Sequence, residues 1–217
     1  TTDGTLWGWG ATGTWFGKPS GFYSSPIQIG SVGEWARIAT TMSDGVTTYA
    51  SHIMGIKKNG TLWAWGNNGS GQLGNGTTVA YISPIQVGSA ADWADVTVGY
   101  NGVTAAVKKD GTLWCWGFNV PMNAYHILNG QPMYSSPVQI GALTNWKRVF
   151  TDSQATLAIK TDGTTWAWGL GTNGKFANVT MDFYQSGSTY SSPIQISSGV
   201  GWKDIAAGTN FVIAINS

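Results

Sequence analysis

Acid–base, nucleophilic or metal chemistry in this sequence would have to be built from His52, His126, Cys115 and a scatter of aspartates. A histidine serving as ligand or general base needs partners at a defined spacing. His52 and His126 stand in different parts of the chain with no such motif, so both read as turn or surface histidines. Asp44, Asp92, Asp95, Asp152, Asp182 and Asp204 could supply the paired carboxylates of glycoside hydrolysis. Ten acidic residues in a polar chain always offer pairs, however, and the sequence singles none out. Cys115 lies between two tryptophans, in a slot that elsewhere holds Gly8, Ala64 or Ala167. That is a small-residue packing position rather than an activated thiol. The run GWGATG at Gly8–Gly13 has the glycines of a phosphate loop but neither the following helix nor the Lys–Ser/Thr pair. The expectation is no catalytic residue, no metal site, no cofactor, and a protein that is not an enzyme.

The elements that carry these residues show in the composition. The chain has 31 Gly and 13 Trp, with 10% charged residues against about 25% in an ordinary domain. Thr, Ser, Asn and Gln supply the solvation, which suits a surface made of turns. A formal charge of +1 leaves no basic footprint for nucleic acid and no polybasic run for a membrane surface. No stretch nears the roughly 18 apolar residues of a membrane helix. The single cysteine excludes an internal disulfide.

The tryptophans fall in a repeat. DGTLWGWG at Asp3–Gly10 returns as NGTLWAWG at Asn59–Gly66, DGTLWCWG at Asp110–Gly117 and DGTTWAWG at Asp162–Gly169. Each is followed by a second phrase: SSPIQIG at Ser24–Gly30, ISPIQVG at Ile82–Gly88, SSPVQIG at Ser135–Gly141 and SSPIQIS at Ser191–Ser197. A Trp with Val or Ile three residues on comes next (Trp35/Ile38, Trp93/Val96, Trp146/Val149, Trp202/Ile205), and an apolar run then leads into the next turn. The unit is a module of about fifty residues, whose turns start at 3, 59, 110 and 162.

Each piece reads as a strand. In TLWAWG, Leu62 and Ala64 point one way and Trp63 and Trp65 the other, the period of two that a strand requires. Asp-Gly and Asn-Gly are hairpin turns, because these residues tolerate positive φ. Pro26, Pro84, Pro137 and Pro193 remove a ladder donor and imply an edge strand or a strand's first position. Four-stranded modules of this length predict an all-β protein, a β-propeller of four blades occupying residues 1–217 as one domain. The end FVIAINS and the start TTDGTLWGWG together rebuild the interior hairpin, so the terminal strands are expected to pair and close one blade. On this reading twelve tryptophans, three per module, fill the gaps between blades, and Trp15 alone lies outside the pattern.

These phrases resemble the regulator-of-chromosome-condensation repeat family, most fully over Lys57–Gly99, which includes NNGSGQLGNGTT at Asn67–Thr78. The YSSPxQIG wording is closest in style to repeats of bacterial and phage or environmental-virus proteins. The resemblance implies a propeller that acts by binding. Members are most often seven-bladed, and this sequence departs in carrying four repeats, so it closes as a small ring, belongs to a larger one, or assembles with a second copy. No activity transfers residue by residue, because the matching phrases are scaffold.

Binding is therefore expected where the modules differ. Between the double-Trp strand and the SPxQ phrase they read ATGTWFGKPSGFY (Ala11–Tyr23), NNGSGQLGNGTTVAY (Asn67–Tyr81), FNVPMNAYHILNGQPMY (Phe118–Tyr134) and LGTNGKFANVTMDFYQSGSTY (Leu170–Tyr190). Equivalent loops of a propeller emerge on one face, and rigid scaffolds place binding residues on such loops. The candidates are Trp15, Phe16, Phe22, Phe118, Tyr125, Phe176, Asp182, Phe183 and Tyr184. The expected partner is another protein or a surface glycan, with no nucleic acid and no membrane insertion. The expected setting is extracellular or a virion, as a phage tail or capsid-surface module or adhesin, with a lectin or an enzyme inhibitor as alternatives and homo-oligomer or virion assembly open.

Overall fold

A computed structural model describes residues 3–12, 21–30, 33–40, 52–99, 102–118, 133–151, 155–171, 188–197, 201–207 and 212–216. These form sixteen strands and no helix. Three complete antiparallel sheets run in chain order. The first blade is β3 (Trp35–Thr40), β4 (His52–Lys57), β5 (Leu62–Gly66) and β6 (Tyr81–Gln86); the second is β7 (Trp93–Gly99), β8 (Val103–Lys108), β9 (Leu113–Gly117) and β10 (Tyr134–Gln139). The third is β11 (Trp146–Thr151), β12 (Ala155–Lys160), β13 (Thr165–Gly171) and β14 (Ser188–Ser197). Two half-blades remain, β1 (Leu6–Thr12) with β2 (Gly21–Ile29), and β15 (Trp202–Ala207) with β16 (Val212–Asn216).

The all-β reading holds, and so does each module phrase as a strand. The closing pair does not appear: β16 and β1 lie in separate two-stranded sheets, with no pairing between them among the described residues. Inside the complete blades the hairpin joins the second strand to the third and sets their register. No such hairpin joins β16 to β1.

The strands that begin with the lone Trp stand side by side from blade to blade, β3 against β7, β7 against β11, β11 against β15. Backbone N–H groups of β11 reach side chains of β7, Val149 N to Asp95 Oδ2 at 3.1 Å and Thr151 N to Thr97 Oγ1 at 3.4 Å. These strands are the inner wall. The SPxQ strands are the outer rim, as their prolines require.

The period-two reading of TLWAWG sets the packing between blades. Leu62 and Ala64, with Met54 and Ile56, face the second blade and bury against its Trp93, Val96 and Trp116. Leu113 and Cys115 repeat this against Trp146, Val149 and Trp168. Only part of the tryptophan expectation survives. Trp65, Trp116 and Trp168 are fully buried and Trp93 and Trp146 nearly so, but Trp63, Trp114 and Trp166 are half-buried. Each of the latter lies under a lysine of its own blade: Lys57 Nζ is 4.1 Å from the Trp63 ring, Lys108 4.9 Å from Trp114, Lys160 3.7 Å from Trp166. Trp7 and Trp9, on β1, are exposed; among the described residues no inner strand pairs with their half-blade.

A candidate binding face and the clasps behind it

The turn phrase does more than reverse the chain. In each copy the Asx carboxyl or amide oxygen accepts from the Thr backbone N–H and hydroxyl two residues on, at 2.7–3.1 Å in the three interior copies. The Thr Oγ1 then accepts from the indole N–H of the following Trp, as at Trp63, Trp114 and Trp166. The glycine has positive φ, and its carbonyl accepts from the first Trp N–H of the next blade: Gly60 O from Trp93 N and Gly111 O from Trp146 N, both at 3.1 Å. The dipeptide read as a hairpin is also the clasp between neighbouring blades.

The histidine reading needs correction. His52 is fully buried on β4, not at a turn or surface. Its Nε2 is 2.8 Å from Thr104 Oγ1 on the second blade. The Thr104 hydroxyl donates to Gln72 O at 2.8 Å, so Nε2 must be the donor to it. His52 is therefore a strut between blades. His126 lies outside the described residues. The Cys115 reading stands: the thiol is buried, and burial pushes its pKa up to about 12, far from a thiolate nucleophile.

The acidic residues also do structural work. Arg37, Asp95, Arg148 and Asp204 occupy the same position, two after the inner-strand Trp, on successive blades. They form an alternating ladder: Arg37 to Asp95 at 2.7 Å, Asp95 to Arg148 at 3.7 Å, Arg148 to Asp204 at 2.6 Å. Burial pushes the Asp95 carboxyl above its ordinary value, against the lowering pull of Arg37, the Val149 N–H, Arg148 and the Val96 N–H. Asp204 is lowered, chiefly by the hydrogen bond from Arg148. Asp110 and Asp162 are lowered by their threonine hydrogen bonds.

The signs differ, and the difference is measurable. Lowered carboxylates contribute stability that is present above the ordinary value of about 4 and drains as pH falls through their folded values. Asp95 is raised, so between its ordinary and folded values the native state binds more protons and stability rises as pH falls. Asp95→Asn removes that gain. Urea midpoints of the two proteins across the acid range are expected to diverge in favour of wild type as pH falls through that window; parallel curves would refute the assignment.

Of the sequence-predicted binding residues, Phe22 and Phe118 are described; Trp15, Phe16, Tyr125, Phe176, Asp182, Phe183 and Tyr184 lie outside the described residues. Phe22 is 91% exposed. Phe118 is half-buried, its N–H bonded to Gly102 O at 3.0 Å. The loop Asn67–Tyr81 is not a free binding element. Asn68, Gln72 and Leu73 are fully buried, with Asn68 Nδ2 donating to the Thr77 and Val79 carbonyls at 2.9 Å. Gln72 O accepts from the Trp116 indole at 2.9 Å, and Gly76 N donates to Ser135 O at 2.7 Å. This loop pegs the first blade to the second.

A signal in the sequence went unused: every loop ends in Tyr. Tyr23, Tyr81, Tyr134 and Tyr190 pair with Gly10, Gly66, Gly117 and Gly169 at the same register, and the last three pack on the cores. With the Tyr turned inward, the flanking side chains turn out. Phe22 and Met133, each one residue before its Tyr, and Ile82, one residue after Tyr81, are accordingly exposed.

Four-stranded blades joined through their inner strands, with variable loops at one end, define a β-propeller repeat protein. Residues 45–106 match the repeat of the regulator of chromosome condensation family. The Regulator of chromosome condensation (RCC1) repeat matches residues 59–106, and a second form of the same repeat matches 45–72. The RCC1 domain-containing protein RUG3, mitochondrial, of Arabidopsis thaliana is 28% identical over 151 residues, 66% of this chain and 32% of that protein. The structure of human WBSCR16 superposes with a TM-score of 0.75 at 18% identity, covering 100% of this chain and 54% of that one. Yeast RCC1 (Prp20), solved bound to Kap60, gives 0.73 at 18% identity, covering 99% and 50%. The chain thus spans a third of the curated relative and half of each solved neighbour.

Proposed function

We propose that the chain is a non-enzymatic recognition module that binds another protein through the loop end of its blades. The observation that carries this reading is the exposure of Phe22 and Met133, at equivalent places just before the loop-ending Tyr, with Ile82 exposed just after Tyr81. Exposed apolar groups on a packed scaffold are anchors for a partner surface. The yeast neighbour supports the class of partner, since it is solved with Kap60 and is described with binding to Gsp1p and histones. The catalytically suggestive residues of this chain support the same reading, because His52, Cys115 and Asp95 are each engaged in holding blades together. Action at an extracellular or virion surface is part of the proposal, on the likeness of the YSSPxQIG phrases to phage repeats.

The test is to capture a partner on the immobilised chain, identify it, and remeasure the purified pair with Phe22→Ala and Met133→Ala. Loss of at least about tenfold in affinity is expected from Phe22→Ala, the range of an interface anchor. Unchanged affinity in both variants, with the fold intact by circular dichroism, would move the site off this end. Binding on a glycan array without any protein partner would replace the reading with a lectin.

A further inference from the structure

The lysine that ends the second strand of each complete blade lies between two tryptophans of that blade. In the first two blades a carboxylate reaches it as well. Lys57 Nζ is 3.8 Å from Glu34 Oε2, and Lys108 Nζ is 3.2 Å from Asp92 Oδ2. Both acids immediately precede the inner-strand Trp, and the third blade has Asn145 in that place. Lys160 is left without an ion pair among the described residues, although it is the most buried of the three lysines, at 7% exposure. Asp162, two residues on, is committed to the Thr164 N–H and hydroxyl at 2.9 and 2.7 Å.

The carboxylates leave a mark on the rings. Nζ lies 4.9 Å from the Trp114 centroid, where the acid is nearest, and 4.1 Å from Trp63, where it is farther. Over Trp166, with no acid, the distance falls to 3.7 Å. An acid draws the ammonium off the indole; without one, the ring face is the nearest negative potential.

Asn145 adds a second donor. Asp92 Oδ1 and Asn145 Oδ1 are both buried without a partner among the described residues. Asp92 turns its other oxygen to Lys108, so the atom left to Asn145 at that place is Nδ2, which can only donate. An ammonium and an amide N–H group thus stand where the other copies put a carboxylate, and a buried ammonium is costly without an anion. Trp166 and Asn145 are half-buried, so the place borders solvent at the turn end of the blade.

We propose that Lys160 is the seat of a carboxylate-binding site. A carboxylate from outside this turn, carried by a free organic acid or by an acidic side chain of a partner, binds Lys160 Nζ and Asn145 Nδ2 beside the Trp146 and Trp166 rings. The class follows from the other copies, whose occupants are the carboxylates of Glu34 and Asp92. A phosphate would call for an arginine fork, and both arginines of the chain are held in the ladder. The site is independent of the partner at the loop end.

The side-chain ε-CH₂ resonances of Lys160, assigned by their loss in Lys160→Met, report its distance from Trp166 through the ring current. Sodium acetate is expected to move them downfield and to saturate, as Nζ leaves the ring, while the Lys57 and Lys108 signals stay still. Asn145→Asp installs the arrangement of Asp92 and Lys108, which the second blade already accommodates, so it should fold. Its Lys160 signals should start at the displaced position and not respond to acetate. A short blocked peptide with one glutamate is the second arm. Peptide binding at least as tight as acetate assigns the seat to an acidic side chain, and weaker peptide binding assigns it to a free acid. An equal response to chloride at the same ionic strength overturns the carboxylate assignment. No saturable shift with either acid, or the same shift in Asn145→Asp as in wild type, overturns the site.

Discussion

Gly111→Ala is expected to lower stability by about 3 kcal/mol or more. Gly111 has φ +79°, where an L side chain is strained by about 1 kcal/mol. The larger cost is spatial. A Cβ at this position would lie 2.2 Å from the Thr144 carbonyl oxygen and 2.6 Å from its carbon, both backbone atoms that no rotamer change can move. Relief requires the turn to back away from Thr144–Asn145, which breaks the bond from Trp146 N to Gly111 O and opens the clasp between second and third blades. Gly141→Ala is the internal comparison. Its φ is +64° with nothing within 4 Å of the added carbon, so it should cost only the backbone strain of about 1 kcal/mol. Urea unfolding of the two variants separates strain from clasp, and equal losses would mean that the clasp contributes nothing.

Trp116→Ala is expected to cost about 4 kcal/mol. The side chain is fully buried in the joint between first and second blades, with its ring 6.0 Å from Trp93. Removing it opens a cavity at a place where the two sheets are held apart by many other contacts and cannot collapse. Phenylalanine gives a finer test. Trp116 donates its N–H to Gln72 O, whereas the buried indole N–H groups of Trp65 and Trp168 have no partner among the described residues. Trp116→Phe should therefore cost about 1 kcal/mol more than Trp168→Phe, the net worth of one hydrogen bond. If the two variants unfold at the same urea concentration, the peg from Gln72 is idle. Because blades contact only their neighbours, these losses should appear first as local opening of one joint, read by hydrogen exchange at Trp146 or Trp93.

The ladder and the clasps give the described chemistry-bearing residues, His52, Asp95 and Asp204, structural roles. His52 could not be placed from sequence, because its partner Thr104 is 52 positions away and belongs to another blade. Nothing local marks the site as buried. The Asn67–Tyr81 loop is composed like the other loops, and it is scaffold because Gln72 happens to reach Trp116 and Thr104. The Arg–Asp alternation was legible in the sequence as the residue two past each lone Trp. It acquires meaning only once β3, β7, β11 and β15 are known to be adjacent.

What can be read along the chain is whatever repeats with a local period. Alternation in TLWAWG, positive-φ glycines in the turns and prolines on outer strands each act within a few residues, so four modules and an all-β fold follow from them directly. Which face of a blade meets which neighbour, which loop is a peg, and which glycine is a clasp depend on residues from about thirty to over fifty positions apart. Those contacts form when blades pack, since burial and hydrogen bonding between sheets are properties of the assembled joints. The same limit applied at the termini. FVIAINS and TTDGTLWGWG are complementary as strings, yet β16 and β1 stand in separate sheets, because matching edges say what would fit and only the packing of whole blades decides whether they meet.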